Sequence, residues 1–231
     1  MVRSTASDDV QARIRRLILD RGLSPGGPLP TETELTGLFG VGRVTVREAL
    51  KALQALQVVE IRRGSGTFVG SLSLAPLVEG LAFRAAVHHR NGEASLYELM
   101  RVREALEAGL IDSVAASVPG EDLAVLRGIV AEMEGEAARG RIARSTDRAF
   151  HLVLYRSLGN HLLSEVLDAF WAALDQVRGD TGDGHQDPAA TVAQHREIVD
   201  AVAAGDGTRA RTAMRTHFDG IRERLAPGEA G

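Results

Sequence analysis

Apolar residues recur at the three- and four-residue spacing of an α-helix along most of the chain, and one stretch near residue 60 breaks this pattern. The first helix is predicted to start from a cap at Asp8 or Asp9 and to end at Gly22. Its apolar stripe consists of Val10, Ile14, Leu17 and Ile18.

Two more short helices joined by a tight turn are predicted in the segment Pro30–Leu50. Thr31 followed by Glu34 has the spacing of a capping box, which begins the first of them. The turn Gly40–Gly42 ends that helix, and Arg43 begins the next. The apolar positions of the two helices are Leu35, Leu38, Phe39, Val46, Ala49, Leu50 and Leu53.

The stretch that breaks the helical pattern is predicted to form a β-hairpin. Val58–Ile61 and Thr67–Val69 are rich in β-branched residues, and Arg62–Gly66 suits a short loop between them. Three helices followed by a basic hairpin make a winged helix-turn-helix, a DNA-binding domain. We predict that this domain spans residues 1–70.

Several arginines of this domain are placed to meet DNA. In a helix-turn-helix the second helix lies in the major groove, and its first residues contact guanine edges or phosphates. Arg43 and Arg47 are four residues apart at the start of that helix and therefore share one face. The hairpin loop would bring Arg62 or Arg63 near the phosphates or the minor groove.

The remainder of the chain reads as helical to its end. Residues 71–76 form a predicted hinge closed by Pro76, and residues 77–231 a predicted all-helical domain. The predicted fold is mainly α, with an N-terminal winged helix-turn-helix and a C-terminal all-α antiparallel helical bundle. Helices are expected near 76–90, 95–117, 121–139, 145–158, 161–178, 189–204 and 207–225.

Composition narrows the chemistry available to the chain. The 231 residues include no cysteine, so any metal must be held by histidines and carboxylates. The chain has no run of eighteen apolar residues, and its first residues lack the apolar core of a signal peptide. These features predict a cytoplasmic protein that does not bind membranes.

The net charge of −4 hides an asymmetry along the chain. Residues 1–70 carry nine arginines and one lysine against seven acids, which gives +3, whereas residues 71–231 carry −7. A basic domain on an acidic body is expected of a nucleic-acid binder. Because the positive excess is small, we expect a homodimer that doubles the phosphate contacts on a palindromic operator.

Three segments, Leu23–Glu32, Val41–Leu50 and Arg63–Val69, closely resemble the DNA-binding domain of the GntR family of bacterial transcription regulators. They occur in the family's order and spacing. The resemblance implies that the residues contacting double-stranded DNA include Arg43, Thr45, Arg47 and Gly64, with Arg63 beside them in the wing.

The chain departs from the family pattern at two positions of this domain. Thr33 stands where many relatives carry a third DNA-contacting arginine, and Gly42 replaces the usual serine or threonine before Arg43. Both changes remove phosphate or base contacts. The operator sequence and the affinity therefore do not carry over from relatives.

Four polar groups in the helical domain lie on apolar stripes: Asp147, His151, His195 and His217. Such groups are costly to bury alone. Each histidine taken singly is most simply a core residue that is hydrogen-bonded to the backbone, but a divalent metal would satisfy all four groups. Their order and spacing resemble the metal ligands of the all-helical (FCD) effector-binding domain in the FadR-type branch of the family. Three nitrogens favour Zn²⁺, with Ni²⁺ and Mn²⁺ as alternatives.

Arg103 is a further polar residue on an apolar stripe, shared with Leu99 and Leu106. It either pairs with an internal carboxylate such as Asp147 or Glu107, or binds the carboxylate of a small effector bidentately, as a similar arginine does in relatives. Asn160 is most simply a helix N-cap, and it is a second candidate effector contact.

These features leave three classes of function. We expect a transcription regulator that acts as a repressor and whose operator binding responds to a small carboxylic or sugar acid bound at the metal. A regulator that responds to the metal alone is the main alternative. A metal-dependent hydrolase is disfavoured, because four protein ligands leave few open positions and no separate general base is evident.

Overall fold

The computed structural model describes residues 5–90, 95–178 and 187–225, and the chain divides into two compact units, Met1–Pro76 and Leu77–Gly231. Most of the described residues are helical, and two short strands form a single small sheet. The predicted fold class, mainly α with an N-terminal winged helix-turn-helix, is confirmed. No helix within the described ranges is long and apolar enough to span a bilayer.

The first unit contains three helices and a hairpin in the predicted order. The strands are antiparallel and in register from Val59 opposite Val69 to Arg62 opposite Gly66. The elements are α1 (Ala6–Asp20), α2 (Glu32–Phe39), α3 (Arg43–Ala55), β1 (Val59–Arg62) and β2 (Gly66–Val69).

Helix caps explain where these elements begin and end. The capping box predicted at Thr31 and Glu34 is confirmed, since each backbone N–H donates to the other residue's side chain. The predicted cap of α1 at Asp8 or Asp9 is wrong. Thr5 is the N-cap, and Asp8 is the third helical residue, whose carboxylate accepts from the Thr5 N–H at 2.8 Å.

The core of the first unit forms where α1 packs on α3 and both cover the hairpin. The apolar stripes predicted for these helices point inward, which places the opposite face of α3 in solvent. Fully buried members of this core are Val10, Ile14, Leu35, Val46, Ala49, Leu50, Leu53 and Val69.

Gly70 is expected to be essential for the packing of the hairpin against the end of α3. Its N–H donates to the Val58 carbonyl at 2.9 Å, and an added Cβ would lie 2.3 Å from the Gln57 carbonyl oxygen. Gly70→Ala should therefore destabilise this unit by ~1–3 kcal/mol. Hydrogen exchange of peptides from residues 5–70 in the full chain measures the effect.

Gly37→Ala is the matched control for this prediction. Gly37 lies inside α2, and a Cβ there meets nothing within 4 Å. Alanine at this position should leave exchange unchanged or slow it, because it favours the helix by ~0.5–1 kcal/mol relative to glycine. Equal exchange in the Gly70→Ala variant and the unsubstituted chain would contradict the proposed close approach.

The second unit is a bundle in which α5 is central and contacts α7, α8, α9 and α10. Its helix bounds lie within two residues of those predicted from the apolar periodicity. The helices are α4 (Ala75–Arg90), α5 (Ser95–Ser117), α6 (Gly120–Ala137), α7 (Arg144–Arg156), α8 (His161–Arg178), α9 (Pro188–Ala203) and α10 (Gly207–Leu225).

Candidate metal centre and DNA-reading surface

The four predicted metal ligands converge in the interior of the second unit. Asp147 and His151 lie one turn apart on α7, His195 lies on α9 and His217 on α10. One ligand atom from each residue lies within 4.8 Å of the other three. The three imidazoles are buried, and the Asp147 side chain retains 25 % of its exposure.

Both ring nitrogens of His195 face oxygen atoms. Its Nδ1 lies 2.8 Å from the Thr191 carbonyl oxygen, and its Nε2 lies 2.9 Å from Asp147 Oδ1. Both oxygens only accept hydrogen bonds, whereas a neutral imidazole has one N–H to donate. With Nδ1–H donating to Thr191, the Nε2 lone pair faces the Asp147 carboxylate, an arrangement in which both atoms could bind one metal ion.

Several buried nitrogens of the cluster have unmet hydrogen-bonding capacity. Neither ring nitrogen of His217, nor Nε2 of His151, has a hydrogen-bond partner among the described residues. His151 Nε2 lies 3.6 Å from Asp147 Oδ1. Unpartnered buried polar atoms are uncommon in folded proteins because each costs ~1–3 kcal/mol.

A divalent metal fits these residues. Two atoms bound to one zinc ion, each about 2.1 Å from it, lie roughly 3–3.4 Å apart, close to the observed spacings between Asp147 and the two imidazoles. Three imidazole nitrogens and one carboxylate oxygen form a donor set that suits zinc and neighbouring transition metals.

Electrostatics keep two of these groups in their metal-binding forms. Burial lowers the pKa of His217 well below its ordinary value, and the nearby His195 and His151 rings lower it further. Burial alone would raise the pKa of Asp147, but the hydrogen bond with His195 and the close approach of the His151 ring outweigh it and hold that pKa well below its usual range. A neutral imidazole and an ionised carboxylate are the forms that bind metal.

Arg103 lies beside this cluster and forms a buried ion pair. Its Nε donates to Glu107 Oε1 at 2.6 Å, one turn along α5, so Glu107 rather than Asp147 is its carboxylate partner. The guanidinium stacks over the Trp171 ring with 4.0 Å between Cζ and the ring centroid. Arg103 Nη2 and Trp171 Nε1 are buried donors without a partner in the described part of the chain.

Glu107 also contacts the metal cluster, a connection that the sequence did not reveal. Its second carboxylate oxygen makes a short hydrogen bond with Nδ1 of His151, and both side chains are completely buried. Burial would raise the pKa of Glu107, but the charges of Arg103 and His151 outweigh it and lower that pKa. Pairing of Arg103 with Glu107 was one of the alternatives that the sequence left open, whereas the contact with His151, 44 positions away, was not among them.

Asn160, the second predicted effector contact, is exposed at the start of α8. Its Oδ1 accepts from the Leu163 N–H at 3.1 Å, which is the N-cap role. The structure therefore accounts for Asn160 as a cap. A contact between its free amide nitrogen and an effector stays a prediction.

The residues predicted to contact DNA lie on the exposed side of the first unit. Arg43 and Arg47 project from the first turns of α3, and Thr45 between them is half-buried. Arg47 Nη2 forms an exposed ion pair with Glu32 Oε2 at 2.9 Å. The guanidinium is thus held near the start of α2, on the same exposed side as Arg43.

The tip of the hairpin presents the predicted wing residues. Gly64 adopts a positive φ of 75°, which allows the tight turn closed by the Ser65 N–H and the Arg62 carbonyl at 2.9 Å. Arg62 is held by Glu60 and stacks on Phe68, whereas Arg63 is exposed at the tip. Arg63 is therefore the wing arginine free to approach DNA.

Two family models match the chain, one in each unit. Residues 6–69 match the bacterial regulatory proteins of the gntR family, and residues 98–220 match the FCD domain. Together they include the α2–α3 pair, the hairpin and all four members of the histidine–aspartate cluster.

Characterised proteins resemble the chain over nearly its full length. HTH-type transcriptional regulator LutR of Bacillus subtilis is 30 % identical over 215 residues, which cover 91 % of this chain and 96 % of the relative. HTH-type transcriptional repressor NanR of Cronobacter sakazakii is 29 % identical over 226 residues, covering 96 % and 85 % of the two chains. The Uxu operon transcriptional regulator of Escherichia coli is 28 % identical over 225 residues, covering 94 % and 85 %.

A solved structure resembles the chain over nearly its full length. Streptococcus agalactiae GntR superposes with a TM-score of 0.67 at 26 % identity and covers 94 % of this chain and 99 % of its own. The α2–α3 helix pair, the hairpin and the helical bundle are thus the elements that the family models, the relatives and the solved structure share with this chain. The chain therefore belongs to the GntR family of bacterial regulatory proteins, carries an FCD domain, and is a DNA-binding transcription regulator rather than an enzyme.

Proposed function

We propose that this regulator is a homodimeric repressor whose binding to a palindromic operator is controlled by a small organic acid bound at a metal centre in the FCD domain. The observation that carries the proposal is the buried cluster of Asp147, His151, His195 and His217, with its unpartnered nitrogens beside the unpartnered donors of Arg103 and Trp171. The cluster would hold the metal, and the two donors would hold the acid.

Zinc is the proposed metal, held by the three imidazoles and Asp147. When bound, the ion would supply a positive charge, and an acid's oxygens would coordinate it by adding to the four protein ligands. Arg103 and the zinc ion together would carry three positive charges. The carboxylates of Glu107 and Asp147 neutralise two of them, which leaves one positive charge in the interior. Because buried charge must be balanced, the site favours an anion over a neutral ligand.

The shape of the donors favours a carboxylate as that anion. Arg103 uses Nε to hold Glu107, which leaves Nη2 as a directed N–H donor at a fixed place. The flat contact with Trp171 restrains the guanidinium plane. A small hydroxy, keto or sugar acid would place carboxylate oxygens between this donor and the metal.

The names of relatives support the regulatory part of the proposal. One is called a transcriptional repressor, and another is called the regulator of the uxu operon. Repression by this chain would require that the acid bind the DNA-competent and DNA-released states of the dimer with different affinities.

A thermal-shift screen of the zinc-loaded full chain against small hydroxy, keto and sugar acids tests this proposal. We expect a restricted set of acids to raise the unfolding temperature, because a ligand at one hundred times its Kd adds ~2.7 kcal/mol to stability. The same acids should change operator affinity. If no acid stabilises the chain and added metal alone alters operator binding, the regulator responds to metal instead.

Arg103→Lys should weaken the acid response while zinc stays bound. Lysine retains the positive charge but loses the planar guanidinium, and a hydrogen bond to a charged group contributes ~1.5–3 kcal/mol. We therefore expect the affinity for the active acid to fall about 10- to 150-fold. Titration of the acid at saturating zinc, monitored by thermal shift, measures this affinity.

Arg101→Lys is the control, since Arg101 is an exposed arginine on the same helix. It should leave both acid and zinc binding unchanged. An Arg103→Lys variant that binds the acid as tightly as Arg101→Lys would remove Arg103 from the effector site.

A further inference from the structure

The buried carboxylate of Glu107 joins Arg103 to His151, and this arrangement carries an inference that rests on the proposed metal centre. We infer that Glu107 is a positioning residue for metal binding. Its carboxylate holds the His151 ring in the tautomer that carries the proton on Nδ1, so that Nε2 faces the other three ligands.

The position of Glu107 is fixed from both sides. Its backbone carbonyl accepts a hydrogen bond from the Tyr155 hydroxyl at 2.7 Å, and its side chain contacts His151. His151 and Tyr155 are one turn apart on α7. Two successive turns of that helix therefore hydrogen-bond to the same residue of α5. Arg103 Nε then holds the remaining carboxylate oxygen at 2.6 Å.

The hydrogen-bond pattern around Glu107 requires a carboxylate. Arg103 Nε–H can only donate, and the His151 ring must donate from Nδ1 if Nε2 is to offer its lone pair to a metal. Glu107 thus accepts one hydrogen bond on each oxygen. An ionised carboxylate has two accepting oxygens, whereas an amide of the same shape has one acceptor and one donor.

Glu107→Gln keeps the volume and cannot satisfy both partners. With the amide nitrogen toward His151, the ring would have to accept at Nδ1 and carry its proton on Nε2, where the metal should bind. With the amide nitrogen toward Arg103, two donors would face each other. We expect zinc affinity to fall ~10- to 100-fold, the range seen when a partner behind a metal ligand is lost.

Glu104→Gln is the matched control for this substitution. Glu104 lies on the same helix and is also buried, but its hydrogen-bond partner is Arg222 on α10. This variant should bind zinc as the unsubstituted chain does. Competition with a chromogenic chelator, performed on the full chain with Zn²⁺ alone, measures the affinity of all three proteins.

The protonation of His151 provides a second measurement that needs no substitution at Glu107. In ¹⁵N-histidine-labelled, zinc-loaded protein, the ring signals of His151 should show a protonated Nδ1 and a metal-bound Nε2. They are assigned by comparison with a His151→Gln sample. A metal-bound Nδ1 would overturn the inference even if the Glu107→Gln variant failed to fold.

The outcomes separate this inference from the proposed function. If the unsubstituted chain binds Zn²⁺ and Glu107→Gln binds it equally well, the positioning role is wrong and the metal centre stands. If the unsubstituted chain does not bind Zn²⁺, the proposed metal centre fails and the inference fails with it. Weaker binding by Glu107→Gln but not by Glu104→Gln, with the expected tautomer, supports the role.

Discussion

Arg47→Ala is expected to reduce operator affinity by roughly 30-fold to more than 10⁴-fold. One bidentate contact between arginine and guanine contributes ~1–3 kcal/mol of discrimination, and the proposed dimer on a palindromic operator would make that contact twice. Arg47 projects from α3 on the exposed face, where such a contact is made. Fluorescence anisotropy with the operator and a scrambled duplex, at one fixed salt concentration, measures both affinity and specificity.

The ion pair between Arg47 and Glu32 affects the size of this loss. In the free protein the guanidinium is held by Glu32 at 2.9 Å, so DNA must replace or share that contact. The Arg47 side chain is exposed and that of Glu32 is partly exposed, and ion pairs open to solvent contribute little to stability. We therefore expect Glu32 to orient Arg47 without greatly weakening its contact with DNA.

Two variants control the Arg47 experiment. Arg16→Ala removes an exposed arginine of α1, outside the helix pair and the wing, and should change operator affinity only slightly. Arg47→Lys keeps the charge but loses the bidentate guanidinium donor. Binding to the scrambled duplex should therefore persist, while the preference for the operator falls. Undiminished operator binding by Arg47→Ala would contradict the assignment of α3 as the reading helix.

Replacing His217 with leucine should abolish metal binding and leave the metal-free protein no less stable. Elemental analysis after dialysis against a chelator should show about one zinc per unsubstituted chain and none in the variant, because three protein ligands hold the ion less tightly than four. The buried His217 ring has two nitrogens without partners among the described residues, each costing ~1–3 kcal/mol without metal. Leucine removes that cost.

Thermal unfolding with and without a chelator tests the stability part of this prediction. The chelator should lower the unfolding temperature of the unsubstituted chain and have no effect on His217→Leu. His195→Ala should also lose the metal. It should additionally destabilise the fold, because it removes the hydrogen-bond partner of Asp147 and the side-chain contact to the Thr191 carbonyl.

His161→Ala is the control for the metal experiments. His161 is an exposed histidine at the start of α8, and its removal should leave zinc content unchanged. Retention of zinc by His217→Leu, or its loss from His161→Ala, would contradict the ligand set.

Local spacing was enough to predict most of the fold. Thr31 and Glu34 lie three residues apart in sequence, and their capping contacts form within one helical turn whatever the rest of the chain does. The capping preference gave the wrong start for α1. Thr5, Asp8 and Asp9 all have side chains that are common at an N-cap, so each is a possible first residue of the helix. Sequence alone does not decide which residue is the cap and which is the third helical position.

The candidate site was predictable where a polar residue interrupted an apolar stripe. That signal identified the three histidines and Arg103, because burying such side chains without partners is costly. It did not identify the contact between Glu107 and His151, or the ion pair of Arg47 with Glu32, since both join separate helices. Those pairings depend on how the helices pack against one another, and this packing cannot be predicted from a single sequence.

Trp171 gives the protein a built-in optical reporter. It is the only tryptophan in the chain, so all indole fluorescence originates at the ring on which Arg103 stacks. An acid that binds Arg103 would change the charge above that ring, and a metal held by His151 would bind to a ring whose centroid lies 5.8 Å from that of Trp171. Emission from the unlabelled protein should therefore follow occupancy of the site directly, without a dye and without DNA.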